Sequence, residues 1–154
     1  MKKNLVFETA QRVFNIKKSV GLVYVPPKEL VEDALSRLEK EGNAKVIDCL
    51  THRGTSEIFN YIYAQYNEHR RNTVIHKFVK YKDMEADVYN YLSDKILILT
   101  NADFISRHSI TIDKMIDAKI PLMLIFNNPF SVDRIREMNF YRTVHTVESD
   151  FRKK

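Results

Sequence analysis

Two uninterrupted apolar runs, Ile96-Leu97-Ile98-Leu99 and Leu122-Met123-Leu124-Ile125-Phe126, constrain the fold more than any other feature of this chain. A strand with one wet face alternates apolar and polar residues. A run that is apolar at every position suits a strand covered on both faces, as in the middle of a parallel sheet flanked by helices. The longest apolar stretch, Ile120 to Phe126, is far too short to cross a bilayer.

The segments around these runs alternate between the two periodicities. Phe7, Ala10, Val13 and Phe14 share one face at helical spacing, and Gly21 then interrupts the pattern. Leu22-Val23-Tyr24-Val25 reads as a short buried strand ended by Pro26-Pro27, followed by a helix from Lys28 to Lys40 that turns Leu30, Ala34, Leu35 and Leu38 inward. After Gly42 come a strand from Lys45 to Leu50, a turn at Thr51-His52-Arg53-Gly54 and a helix from Thr55 to Arg70. Residues 72–80 are rich in β-branched and aromatic side chains, and Asp83 to Ser93 is helical with Met84, Val88, Tyr91 and Leu92 inward. Ser106 to Lys119 forms a crossover helix through Ile110, Ile112, Met115 and Ile116, and Tyr141 to Val147 reads as a last, edge strand. Strands alternating with helices this regularly predict right-handed crossovers and a Rossmann-like three-layer α/β/α sandwich around a mainly parallel sheet of about five to six strands. A chain of 154 residues suits a single domain over residues 1–150, with 151–154 as a solvated tail.

Glycine narrows the function. Only three occur, so neither G-x-x-x-x-G-K-[ST] nor G-x-G-x-x-G can be written anywhere. Backbone that must approach a phosphate closely with positive φ normally uses glycine, and the usual phosphate-cradling turn is therefore excluded. The net charge of +5 and pI near 9.2 suit an anionic partner such as nucleic acid, and equally a lysine-rich soluble surface. Cys49, the single cysteine, sits in the apolar run Val46-Ile47-Asp48-Cys49-Leu50, which points to a core thiol and a reducing compartment. With no apolar signal stretch after Met1, the reading is cytoplasmic, with no membrane partner.

In open parallel sheets ligands gather beyond the carboxyl ends of the strands. The candidate ligand or anion pocket is therefore Lys28, His52, Arg53, Thr55, Ser56, Asn101, Asp103 and Asn127. Thr55 or Ser56 can cap a helix whose free N–H groups face His52 and Arg53, and an ordinary capped helix explains the same residues. His52, His69, His76, His108 and His145 are dispersed, without Cys/His pairs or H-E-x-x-H, so no metal site is predicted. No G-x-S-x-G elbow supports a catalytic triad. The densest basic stretch runs from His69 to Lys82, and Arg70, Arg71, Lys77, Lys80 and Lys82 are its candidate nucleic-acid contacts, with Phe78 or Tyr81 available to stack on bases. Lysines on a strand also protect a sheet edge, which is the plain structural alternative.

In order along the chain, these pieces resemble AAA+ ATPases of the compact helicase-loader and transposition-ATPase type. Gly21-Leu22-Val23-Tyr24-Val25-Pro26-Pro27 is similar to the strand that opens that family's Walker A loop, Ile96 to Leu99 to its Walker B strand, and Leu122 to Phe126 with Asn127-Asn128 to its sensor strand. The resemblance implies a P-loop-type fold from about Phe7 to Val147. Against that pattern, Val25, Lys28 and Leu30 stand at the glycine positions, Val31 near the phosphate-binding lysine, and Glu32 at the magnesium-holding hydroxyl. Thr100 and Asn101 stand where the acidic pair would be, so the implied nucleotide site has lost its electrostatic supports. Arg134 and Arg136 sit where arginine fingers could be mimicked, or simply on an exposed helix.

The resulting expectation is a non-catalytic α/β accessory or interaction module, with no bound cofactor, partnered with a protein of a replication, recombination or mobile-element machine. A direct DNA- or RNA-binding protein acting through residues 69–82 is the first alternative, and a small enzyme with its site at the strand ends the second. Tyr61, Tyr63 and Tyr66 on one helix are compatible with a homodimer, and the lysine- and isoleucine-rich composition with a viral or plasmid origin.

Overall fold

The computed structural model describes residues 3–16, 19–42, 44–51, 95–104, 115–116, 120–138, 141 and 143–152. Helix α1 (Leu5–Asn15) begins at Asn4, whose side-chain oxygen accepts from the N–H groups of Val6 and Phe7. That capping bond satisfies donors the first helical turn would otherwise leave open. The amide of Asn4 also donates to Leu30 O and to Asp33, fastening α1 to α2 (Lys28–Lys40). The guanidinium of Arg37 on α2 lies 3.9 Å from the ring centre of Phe7, a second tie between the helices.

Among the described residues, five strands form one parallel sheet in the order β2-β3-β4-β1-β5: β1 (Ser19–Tyr24), β2 (Ala44–Asp48), β3 (Ile96–Thr100), β4 (Leu122–Phe126) and β5 (His145–Asp150). The short helix α3 (Ser131–Arg136) follows β4. Alternation along each central strand feeds two cores. Val23, Ile96, Ile98, Met123 and Ile125 pack with Val6, Phe7, Ala10, Val13, Ala34 and Leu38 on the α1/α2 side. Leu22, Tyr24, Leu97, Leu99, Leu122, Leu124 and Phe126 pack with Met115, Val132 and Ile135 on the other. The three-layer α/β/α sandwich expected from the two apolar runs is the fold observed.

Several boundaries differ from the sequence reading. Gly21 does not interrupt anything: it lies inside β1, where a side chain would collide with α1. A Cβ built there falls 2.8 Å from Val13 Cγ2 and 3.2 Å from Thr9 Cγ2 and Met123 Cγ. Its role is close approach of helix to strand. Val25 falls outside β1, Phe14 is exposed rather than inward, and β5 starts at His145 because Tyr141 N–H closes a turn onto Met138 O. β5 runs on to Asp150, three residues past the expected end at Val147, and Phe151, half-buried against the α1/α2 core, donates its N–H to Tyr24 O. The elements expected over 55–70, 72–80 and 83–93, and most of the crossover helix over 106–119, lie outside the described residues. No helix among the described residues is long and apolar enough to cross a membrane.

Candidate functional site

The carboxyl ends of β2, β3 and β4 carry a connected set of polar side chains. Asn101, just past β3, donates from Nδ2 to Asp48 at the end of β2 (2.9 Å) and accepts at Oδ1 from Asn127 Nδ2 just past β4 (2.6 Å). The three neighbouring strand ends are thereby tied side chain to side chain. Asp103, in the 3-10 turn Ala102–Phe104, accepts from the N–H groups of Asn127 (2.9 Å) and Asn128 (3.0 Å) and from the Ser131 hydroxyl. A carboxylate suits that position because it offers several acceptor sites to converging donors. Together Asn101, Asp103, Phe104, Asn127, Asn128, Ser131 and Arg134 line a cleft of about 580 Å³.

Two residues beside the strand ends take left-handed backbone, Val25 (φ 51°) after β1 and Asn101 (φ 52°) after β3. Asparagine tolerates that conformation. A β-branched valine does so at a cost of about 1–2 kcal/mol, and Val25 is held by its N–H bond to Phe126 O (2.7 Å) and by its contact with the core. The connection from β1 to α2 is Val25-Pro26-Pro27. Both prolines lack an N–H, and the Val25 N–H is already committed, so the connection itself presents no amide donor. Glu29 and Glu32 stand in the opening turns of α2, and Lys28 reaches back to Glu32 at 3.8 Å on the exposed face.

Beneath the cleft Cys49 is fully buried, and burial, then Asp48 and Asp103, push its thiol up to about 12. Tyr24, at the end of β1, stacks on Phe126 with ring centres 5.5 Å apart, and its buried hydroxyl has no hydrogen-bond partner among the described residues. Burial first, then Glu148 and Tyr141, push the Tyr24 phenol upward.

Of the predicted pocket residues, the structure brings together Asn101, Asp103 and Asn127; Lys28 is not among the residues lining the cleft. His52, Arg53, Thr55 and Ser56 lie outside the described residues, as do the predicted nucleic-acid contacts Arg70, Arg71, Lys77, Lys80 and Lys82. Sequence reasoning missed Asp48, Asn128, Ser131 and Phe104 as parts of this site and read Arg134 separately. Asn128 was within reach of the strand-end rule that selected Asn127. Asp48 was masked by the apolar run around it.

No protein-family model matches the sequence, and no curated protein matches it. The backbone is similar to solved structures. Among them are a Walker-type ATPase of Pyrococcus abyssi (10% identity, 97% of this chain and 53% of that chain, TM-score 0.62) and the ORC1 protein of Aeropyrum pernix in complex with DNA (15%, 96% and 43%, TM-score 0.57). The ORC2 protein of Aeropyrum pernix is similar at 12% identity, over 93% of this chain and 47% of that chain, with TM-score 0.56. This chain thus spans about half the length of the structures it matches. The shared fold is the P-loop-NTPase-like α/β fold that the succession of strands and helices along the chain suggested.

Proposed function

We propose that this chain is a non-catalytic accessory or interaction module, built on a degenerate nucleotide-binding fold, that works with a protein partner in a nucleic-acid-processing machine. The observation that supports this most directly is the β1–α2 connection. A phosphate-cradling loop works by aiming successive backbone N–H groups and a lysine at the phosphates. Here the Val25 N–H bonds to Phe126, Pro26 and Pro27 have none, and Glu29 and Glu32 place carboxylates beside the helix start. These residues do not fit a nucleoside triphosphate with its magnesium ion. The strand ends argue the same way, because Asp103 is engaged by Asn127, Asn128 and Ser131 rather than set apart for a metal.

Association with a replication-type machine draws its support from the neighbours in fold, ORC1 with DNA and ORC2, and from the net charge of +5. An ATPase assay with the purified chain and magnesium tests the reading. No turnover above the blank is expected. Turnover that disappears in Lys28→Ala would overturn it.

A further inference from the structure

The bonds that knit the cleft together leave it chemically one-sided. Both oxygens of Asp103 accept from within the cleft, the Asn101 side-chain oxygen accepts from Asn127, and that of Asn128 accepts from the Phe130 N–H (3.0 Å). Donors are what remain. Asn128 Nδ2 and the exposed guanidinium of Arg134 have no partner among the described residues, and a guanidinium offers a fork of N–H groups that is charged at every relevant pH. A surface with its acceptors occupied and its donors open is complementary to a carboxylate or another acceptor-rich anion.

Apolar surface lies beside those donors. Phe104 lines the cleft and is 44% exposed, and Phe130, on the turn between Asn128 and Ser131, is 78% exposed. Exposed aromatic rings next to arginine are the composition of binding hot spots. The surrounding charge selects between anionic partners. Asp133 and Glu137 share the surface of α3 with Arg134 and Arg136, and Asp150 holds Arg152 at 2.6 Å where Arg152 reaches Pro129 O. A polyanionic strand would bring successive phosphates against these carboxylates. A peptide with one acidic group and one apolar group sets a single carboxylate on Arg134 and a side chain on a ring, and the one carboxylate among the described residues lining the cleft, Asp103, is already turned to the Asn127 and Asn128 N–H groups and the Ser131 hydroxyl.

We infer that this cleft docks an extended peptide segment of a partner protein, with a carboxylate on Arg134 and Asn128 and an apolar side chain against Phe130 and Phe104. The inference rests on the reading of the chain as an interaction module and names the site and the chemistry of its partner. The volume of about 580 Å³ lies within the range of sites that enclose such groups.

Selection of random displayed peptides on the full chain, followed by fluorescence anisotropy of the enriched sequences, tests it. Enriched peptides should pair Asp or Glu with a neighbouring apolar residue. Arg134→Gln and Phe130→Ala, both at exposed positions, should each weaken them by about tenfold or more, and Arg12→Gln on α1 should leave them unchanged. Peptides lacking an acidic residue, affinity indifferent to both variants, or a labelled single-stranded oligonucleotide bound through Arg134 in their place would overturn it. The two failures separate cleanly: ATP turnover removes the module reading, whereas variant-indifferent peptide binding removes only this cleft.

Discussion

Replacing Gly21 by alanine tests how closely α1 is packed on the sheet. The new methyl would stand 2.8 Å from Val13 Cγ2, well inside ordinary contact, with Thr9 Cγ2 and Met123 Cγ at 3.2 Å. Met123 is flexible and can give way. Val13 cannot: it is buried, and a β-branched side chain in a helix has one strongly preferred rotamer. Overpacking of this kind costs about 1–3 kcal/mol, while removing the freedom of an unfolded glycine returns about 0.4–1 kcal/mol. The net expectation is a loss of about 1–2 kcal/mol, or a Tm lower by roughly 2–8 °C for a chain of this size. Urea unfolding followed by circular dichroism measures it. The stronger check is the double variant Gly21→Ala/Val13→Ala, in which the added methyl occupies space the valine vacated. Its loss should fall short of the sum of the single losses by about 1 kcal/mol. A neutral or stabilising Gly21→Ala, or strict additivity with Val13→Ala, would refute the close-approach argument.

Asp103→Ala should destabilise by about 1–3 kcal/mol, since Asn127 N–H, Asn128 N–H and the Ser131 hydroxyl lose an acceptor and water replaces it only in part; thermal denaturation reads this directly. Tyr24→Phe should be neutral or stabilising by up to about 1 kcal/mol, because it deletes a buried hydroxyl without a hydrogen-bond partner among the described residues. A loss beyond about 1 kcal/mol in urea titration would mean that the hydroxyl is bonded in solution. Cys49 is protonated in the fold until about 12, against 9.0 for an unperturbed thiol, so the unfolded chain sheds this proton first. Its contribution to stability is complete below about 9 and declines as pH rises towards 12. Urea midpoints measured across that window should fall less steeply in Cys49→Ala, and a thiol reagent at neutral pH should leave native Cys49 unmodified.

The central strands were legible because burial on both faces leaves no polar residue to blur their limits: Leu122–Phe126 was read to the residue and Ile96–Thr100 to within one. At the sheet edges the signal weakens. β5 mixes exposed and half-buried positions around a single buried Val147, so the apolar pattern could not fix its start. Gly21 misled because one residue type serves both to end an element and to let two elements touch. Within the site, Asn101, Asp103 and Asn127 followed from the rule that strand ends gather function. Ser131 and Arg134 were hidden because a helix as short as Ser131–Arg136 shows too little periodicity to orient its faces. The empty glycine positions said that the connection after β1 was altered. That the Val25 N–H is already taken follows from the register of β1 against β4, which brings it to Phe126 O.

The position of β1 has a consequence for how the chain is made. Its hydrogen-bonded neighbours are β4 and β5, with Val20 opposite Leu122 and Thr146, so both partners lie far downstream in the order of synthesis. At ribosomal rates of about 5–20 residues per second, β1 waits many seconds with both edges unpaired and with its Val20, Leu22 and Tyr24 face uncovered until Met115, Val132 and Ile135 are made. α1 and α2, fastened through Asn4 to Leu30 and Asp33, are available to shelter its other face in that interval. A ribosome paused before β4 would therefore hold a nascent helix–strand–helix whose strand has no sheet to join, the state in which chaperone capture or mispairing between neighbouring nascent chains is most favoured.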